Sequence, residues 1–239
     1  MKAEITAPDT REDGRSNSSA RALRCEREVL HRADGSAQWE QGGTKVLAAV
    51  YGPMSTLARK EDPERAIIEV TFKQPESPSG TDLERQYEHI IQQTLAGVIQ
   101  TAMHPRTAIS VILQVLEHDG SLLACALNAA STALTEAAVP MTSIVVSAAV
   151  AQDRKGDLLI DPTRAEEEAA GATGMFTFTA RAEAPGAEQL TVAEDCLTSI
   201  VRGPTTTEGL LQMLSLGHKG AQRAAAFSKM SLTQAYDFL

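Results

Sequence analysis

The chain has 239 residues, 43% of them hydrophobic and 22% charged, which gives one large domain or two small ones and excludes a disordered chain. Asp and Glu number 31 against 22 Lys and Arg, a net charge of −9. That excludes a self-sufficient basic nucleic-acid binder, because neutralising phosphates supplies most of the affinity of such proteins.

Residues 1–20 are polar, with no apolar periodicity, and read as a flexible tail; the folded domain is expected over 21–239. β-like runs follow at Leu23 to Leu30, Ser36 to Glu40 and Thr44 to Tyr51. The last is almost entirely apolar, as a strand buried on both faces would be, and Gly52-Pro53 is expected to stop it. Another strand, Ala66 to Lys73, leads into a Pro/Ser/Gly-rich loop, Gln74 to Gly80. Thr81-Asp82-Leu83-Glu84 has the form of a capping box. Leu83, Tyr87, Ile90, Ile91, Leu95 and Val98 then recur at helical spacing, which predicts a helix closed by His104-Pro105.

Alternation over Ile109 to Leu116 predicts a strand, and Asp119-Gly120-Ser121 opens a second helix rich in alanine, which implies close packing. Further strands are expected at Ser143 to Ala151, Asp157 to Ile160, Gly174 to Ala182 and Gln189 to Val192, and a final helix at about Thr207 to Gln234. The mixture defines an α+β domain. Cys25, Cys125 and Cys196 are far apart and form no CxxC pair, which fits a reducing compartment such as cytosol or nucleus. No apolar run reaches the ~18–20 residues of a membrane span, so no membrane partner is expected.

Two places could carry chemistry. At Gly120-Ser121 a helix N-terminus presents unpaired N–H groups to which a phosphate could bind, although a plain N-cap at Ser121 is the commoner use of such a sequence. Asp161 ends a short apolar strand before Pro162, where a carboxylate is expected to face a cleft, while Glu166 to Glu168 read as a solvated face. Paired carboxylates serve as acid and base or hold a divalent cation. Lys73-Gln74 and Arg106, at loops beside strands, could contact a nucleic-acid backbone. No Rossmann, P-loop or nucleophile-elbow fingerprint is present.

Several separate stretches, in order, carry a resemblance: Asp34-Gly35-Ser36-Ala37, the run Gly43 to Pro53, Asp119-Gly120-Ser121-Leu122-Leu123 leading to Asn128-Ala129-Ala130, and Asp161-Pro162-Thr163. Together they resemble RNase PH-like proteins over roughly residues 22 to 235. The Gly-Ser-Leu-Leu variant and His104-Pro105-Arg106-Thr107 are similar to ring subunits of the RNA exosome. The resemblance implies the RNase PH fold (ribosomal protein S5 domain 2-like), with mixed sheets packed with helices. It also implies 3′-to-5′ phosphorolytic chemistry in active members, with inorganic phosphate as co-substrate.

The family's Gly-Gly-Thr-Arg phosphate segment falls on Gly120-Ser121-Leu122-Leu123, so Gly120 and Ser121 would bind phosphate while Leu123 stands in place of the arginine. Asp161 and Glu167 fall on the family's acidic pair, as catalytic residues or as ligands of Mg²⁺. A basic family residue falls near Leu83, with Arg85 as its substitute toward RNA. The expected partners are other ring subunits and cap subunits of the exosome and RNA, in nucleus, nucleolus and cytoplasm. The alternative is a homodimeric nuclease, phosphorolytic on RNA or metal-dependent on RNA or DNA.

Overall fold

The structure is a computed structural model that describes residues 11, 13–56, 59–75, 81–182 and 189–236. Most of the expected loop at 74–80, and the start of the expected tail, lie outside the described residues. One five-stranded sheet has the order β1 (Leu23–Arg27), β2 (Gly35–Gln41), β3 (Thr44–Ser55), β5 (Thr107–Glu117), β4 (Ile67–Lys73). All neighbours are antiparallel except β4 and β5, which run parallel and are joined by helix α1 (Asp82–Ala96). A second, antiparallel sheet has the order β7 (Leu158–Ile160), β6 (Ile144–Gln152), β8 (Ala172–Arg181), β9 (Thr191–Arg202). Helix α2 is Leu122–Glu136, α3 is Arg164–Ala169 and α4 is Thr207–Tyr236.

The layering follows from which faces are apolar. Helix α2 is buried on every side from Leu122 to Leu134, which only a helix between two sheets can be. It packs on β2 and β3 on one side and on β6 on the other. Its alanines allow this closeness: a Cβ added at Gly35 of β2 would stand 2.3 Å from the Ala137 amide nitrogen at the end of α2. Along β6 the faces alternate. Val145 and Ala149 join the core around α2, whereas Val146 and Val150 join a second cluster with Phe176, Phe178 and Met213 beneath α4. Buried Asn128 ties the layers together, donating to the Ser147 carbonyl at 3.0 Å and accepting from the Ser147 amide at 2.8 Å. This is the α+β architecture expected.

Four boundaries differ from the sequence reading. Strand β3 runs through Gly52-Pro53 to Ser55, with an irregular register between Tyr51 and Met54 that lets a residue without an N–H sit in the ladder. Helix α1 ends at Ala96 against Gly97, and a short 3-10 turn over Thr101–Met103 takes up the rest of the stretch before His104. Strand β9 extends ten residues beyond Val192; its alternation is broken by a register shift between Val192 and Cys196, at Glu194-Asp195, which hides it from a period-of-two search.

The fourth difference concerns the segment before Arg21. The Arg11 side chain is 2% exposed and grips Glu166, and the Asn17 carbonyl accepts the Ile160 amide of β7 at 3.0 Å. The described part of the expected tail is thus bonded to the domain as far back as Arg11.

Candidate functional site

Two turns meet at the head of α2. The first, residues 118–121, joins β5 to α2, and the second, residues 161–163, joins β7 to α3. Gly120 is required between them: its φ is +80°, and a Cβ there would lie 2.5 Å from the Pro162 carbonyl oxygen. Ser121 and Asp161 also have positive φ, 52° and 51°, a conformation that costs a side-chain-bearing residue about 1–3 kcal/mol. Thr44 braces the first turn by donating to the Gly120 carbonyl at 2.6 Å and accepting the Asp119 amide at 3.0 Å.

Arg21 fastens the two turns to each other. Its guanidinium donates to the carbonyls of Asp119, Gly120 and Pro162 and forms a two-pronged pair with Asp161, Nη2 to Oδ1 at 2.6 Å and Nε to Oδ2 at 3.0 Å. The Arg21 amide reaches Asp161 Oδ2 at 2.8 Å, and Gln41 Nε2 reaches Oδ1 at 2.7 Å. A carboxylate has about four lone-pair positions, and all of those on Asp161 are taken. Burial alone would raise the Asp161 carboxyl; the Arg21 hydrogen bonds and charge outweigh it, holding the group below the usual carboxylate range.

This corrects the expectation for Asp161. The side chain is 3% exposed and closes an ion pair; it borders only a void of about 20 Å³ rather than an open cleft, and it has no oxygen available for a metal. The residues present therefore do not fit the expected Mg²⁺: with Asp161 committed, Glu167 is the only carboxylate of the pair left. Among the described residues, no group of three or more His, Cys, Asp or Glu is placed to hold a metal ion.

Glu167 is placed differently. It sits on the first turn of α3, half-buried, and its Oε1 accepts the Ser121 backbone N–H at 2.7 Å. A carboxylate of the chain itself thus occupies the helix-terminal donor that a phosphate would use. Burial raises the Glu167 carboxyl above its ordinary value, and the Ser121 bond and Arg21 only partly counter it. The Ser121 hydroxyl is also spent, donating to the Pro162 carbonyl at 3.0 Å; it makes no capping bond to α2. Both sequence readings of Ser121 side-chain chemistry, phosphate ligand and N-cap, give way to this contact.

Beside this junction lies a cleft of about 120 Å³ lined by Tyr87, His118, Ser121, Glu167, Met175 and Arg202, among others. Burial and then the nearby Arg164 charge lower the His118 imidazole, favouring its neutral form. The Arg202 guanidinium lies 5.9 Å from the centre of the Tyr87 ring, a cation–π contact, and makes no ion pair among the described residues. The cleft therefore offers an aromatic face, a neutral imidazole, one accessible cation and one carboxylate.

Sequence reading missed three of these. Tyr87 was assigned only to the apolar face of its helix. His118 had no partner in the linear sequence, although its place at a strand end was a usable signal. Arg202 lay beyond the end assigned to its strand, with no signal at all.

The basic candidates are dispersed. Lys73 stands 3.7 Å from buried Glu84, and the Gln74 amide bonds the same carboxylate at 3.2 Å, so both hold the β4 to α1 connection. Arg85 is exposed, 3.7 Å from Asp82. Arg106 precedes β5 whereas Ser121 follows it, and 11 residues of strand at ~3.3 Å each put ~36 Å between the two ends. The structure brings together Gly120, Ser121, Asp161 and Glu167, but none of the four basic candidates with them. Glu166 and Glu168, expected on a solvated face, pair with Arg11 and Arg164 respectively.

Comparison with known proteins places the fold in a family. The family model described as "3' exoribonuclease family, domain 1" (RNase PH) matches residues 19–140, and the chain belongs to the RNase PH family. Among its relatives, the exosome complex exonuclease RRP46 homolog of Arabidopsis thaliana is 36% identical over 230 residues, covering 94% of this chain and 96% of that protein. The RRP46 homolog of Oryza sativa subsp. japonica is 34% identical over 229 residues, covering 94% and 96%. The crystal structure of rice Rrp46 superposes with a TM-score of 0.83 at 34% identity, covering 93% of this chain and 100% of that one.

Proposed function

We propose that this chain is an RNase PH-like ring subunit of an RNA exosome, supporting 3′-to-5′ RNA processing, ribosomal RNA included, as a structural and RNA-contacting member rather than a phosphorolytic centre. The observation that carries this is the Glu167 carboxylate on the Ser121 amide at 2.7 Å. A phosphate approaching that donor meets a negative charge, and Leu123, 8% exposed, supplies no cation to offset it. The relatives named as exosome proteins support the assembly. The net charge of −9 fits a protein that meets RNA in company, with ring and cap subunits supplying the positive field. Lys73, Gln74, Arg85 and Arg106 are then surface contacts to RNA, and the proposed compartments are nucleus, nucleolus and cytoplasm.

The second reading, a homodimeric nuclease, is favoured by one feature: the cleft retains an accessible Arg202 opposite a carboxyl group with a raised pKa. One assay separates the two. Purified protein is incubated with 3′- and 5′-labelled RNA and DNA, with and without inorganic phosphate and Mg²⁺, and its size is read by gel filtration with light scattering. The ring-subunit reading expects no shortened products. Nucleoside diphosphates dependent on phosphate, or monophosphates dependent on metal, would replace it with the second.

A further inference from the structure

The segment before β1 reaches the cleft without touching it. Three of its arginines converge on the turn between β7 and α3. Arg21 holds Asp161, as described above. Arg15 donates to the Ser19 carbonyl at 3.1 Å and to the Asp161 carbonyl at 3.4 Å. Arg11 makes the tightest set: Nε and Nη2 each bond one oxygen of Glu166 at 2.7 Å, Nη1 bonds the Ile160 carbonyl at 2.8 Å, and Nη2 approaches the Asp161 carbonyl at 3.4 Å.

Glu166 is also the reciprocal member of the capping box of α3, accepting the Thr163 amide at 2.8 Å. The next residue is Glu167. A six-residue helix carries little stability of its own, because forming the first turn fixes several residues for a single hydrogen bond. Its geometry must therefore come from outside. Arg11, buried and two-pronged, is placed to impose it.

We propose that Arg11 is a positioning residue for the cleft. By gripping Glu166 and the Ile160 carbonyl it fixes the first turn of α3 and so holds the Glu167 carboxylate on the Ser121 amide. Arg11 thereby keeps the head of α2 occupied by the chain's own carboxylate. This rests on geometry alone and stands or falls independently of whether the protein cleaves RNA.

The test uses amide hydrogen exchange and carboxyl-carbon NMR on the full chain, comparing the wild type with Arg11→Ala and Glu166→Gln. Gln at 166 keeps an oxygen for the Thr163 amide, and so the capping box, but loses the paired charge. In both variants the Ser121 amide is expected to exchange about tenfold faster, the loss of one charge-assisted hydrogen bond, while Leu113 in the middle of β5 is unchanged. The Glu167 carboxyl resonance is expected to change its titration in step, and Arg11→Lys, which keeps the charge but not the fork, to fall between. Unchanged exchange at Ser121, a rise no larger than at Leu113, or a Glu167 titration identical to wild type would overturn the proposal.

Discussion

Asp161 and Glu167 are six residues apart, one just before the short helix α3 and the other on its first turn, yet one lies in a closed ion-pair cage and the other at the lip of a cleft. Asp161 receives four donors and is held ionised; Glu167 receives the Ser121 amide, and burial drives it toward its neutral form. Their spacing would allow them to act as an acidic pair, but packing separates their roles. One carboxylate secures two turns, and the other regulates access to a helix terminus. Residue type and spacing carry over from a family more readily than the partners a residue will find.

The sharpest way to break this comparison is to remove each charge in turn. Asp161→Asn leaves Arg21 buried without its partner and should cost about 3–5 kcal/mol in urea denaturation; Glu167→Gln should change stability by less than about 1 kcal/mol. Equal losses would mean that the two residues share one role. Next in size, Gly120→Ala should cost about 1–3 kcal/mol from its positive φ alone, plus the clash with Pro162, with the melting temperature as the measure.

The pH dependence sharpens the contrast further. Asp161 is lowered in the fold, so its contribution to stability is complete above the ordinary carboxylate pKa and is lost as pH falls through the lowered value. Glu167 is raised, so it brings a penalty that grows as pH rises from its ordinary value through the raised one. Denaturation between about pH 3 and 8 should show Asp161→Asn flattening the acid limb, and Glu167→Gln gaining stability only toward neutrality. The smallest effect belongs to the cleft rim. Arg202→Ala should lower stability by no more than about 0.5–1 kcal/mol, the worth of an exposed cation–π contact to Tyr87, read as a small shift in the urea midpoint.

Much of the fold was legible because its elements have clean periods. The Thr81 cap, the alternation in β5 and the apolar run of β6 were all visible as sequence patterns, and each is present. Helix α2 announced itself by its alanines, which a helix between two sheets needs. What stayed hidden was long-range and polar. Nothing in Ser16-Asn17-Ser18-Ser19 distinguishes an anchored segment from a loose one, because its anchor is Arg11 meeting a glutamate 155 positions away. The cleft was half-legible: the Gly120-Ser121 junction could be located, but its occupant depends on how α3 is presented.

The placement of α2 has a consequence for how the chain can be divided. The stretch matched by the family model, 19–140, ends just after this helix, with β6, which covers its far side, still to come. Severed at 140, the N-terminal piece would leave the Asn128 amide and the neighbouring alanines uncovered, and the C-terminal piece would lack the surface that Val145 and Ala149 pack against. Neither piece is a self-sufficient module. Co-expressed, the two should recombine into one particle, each acting as the template on which the other becomes ordered.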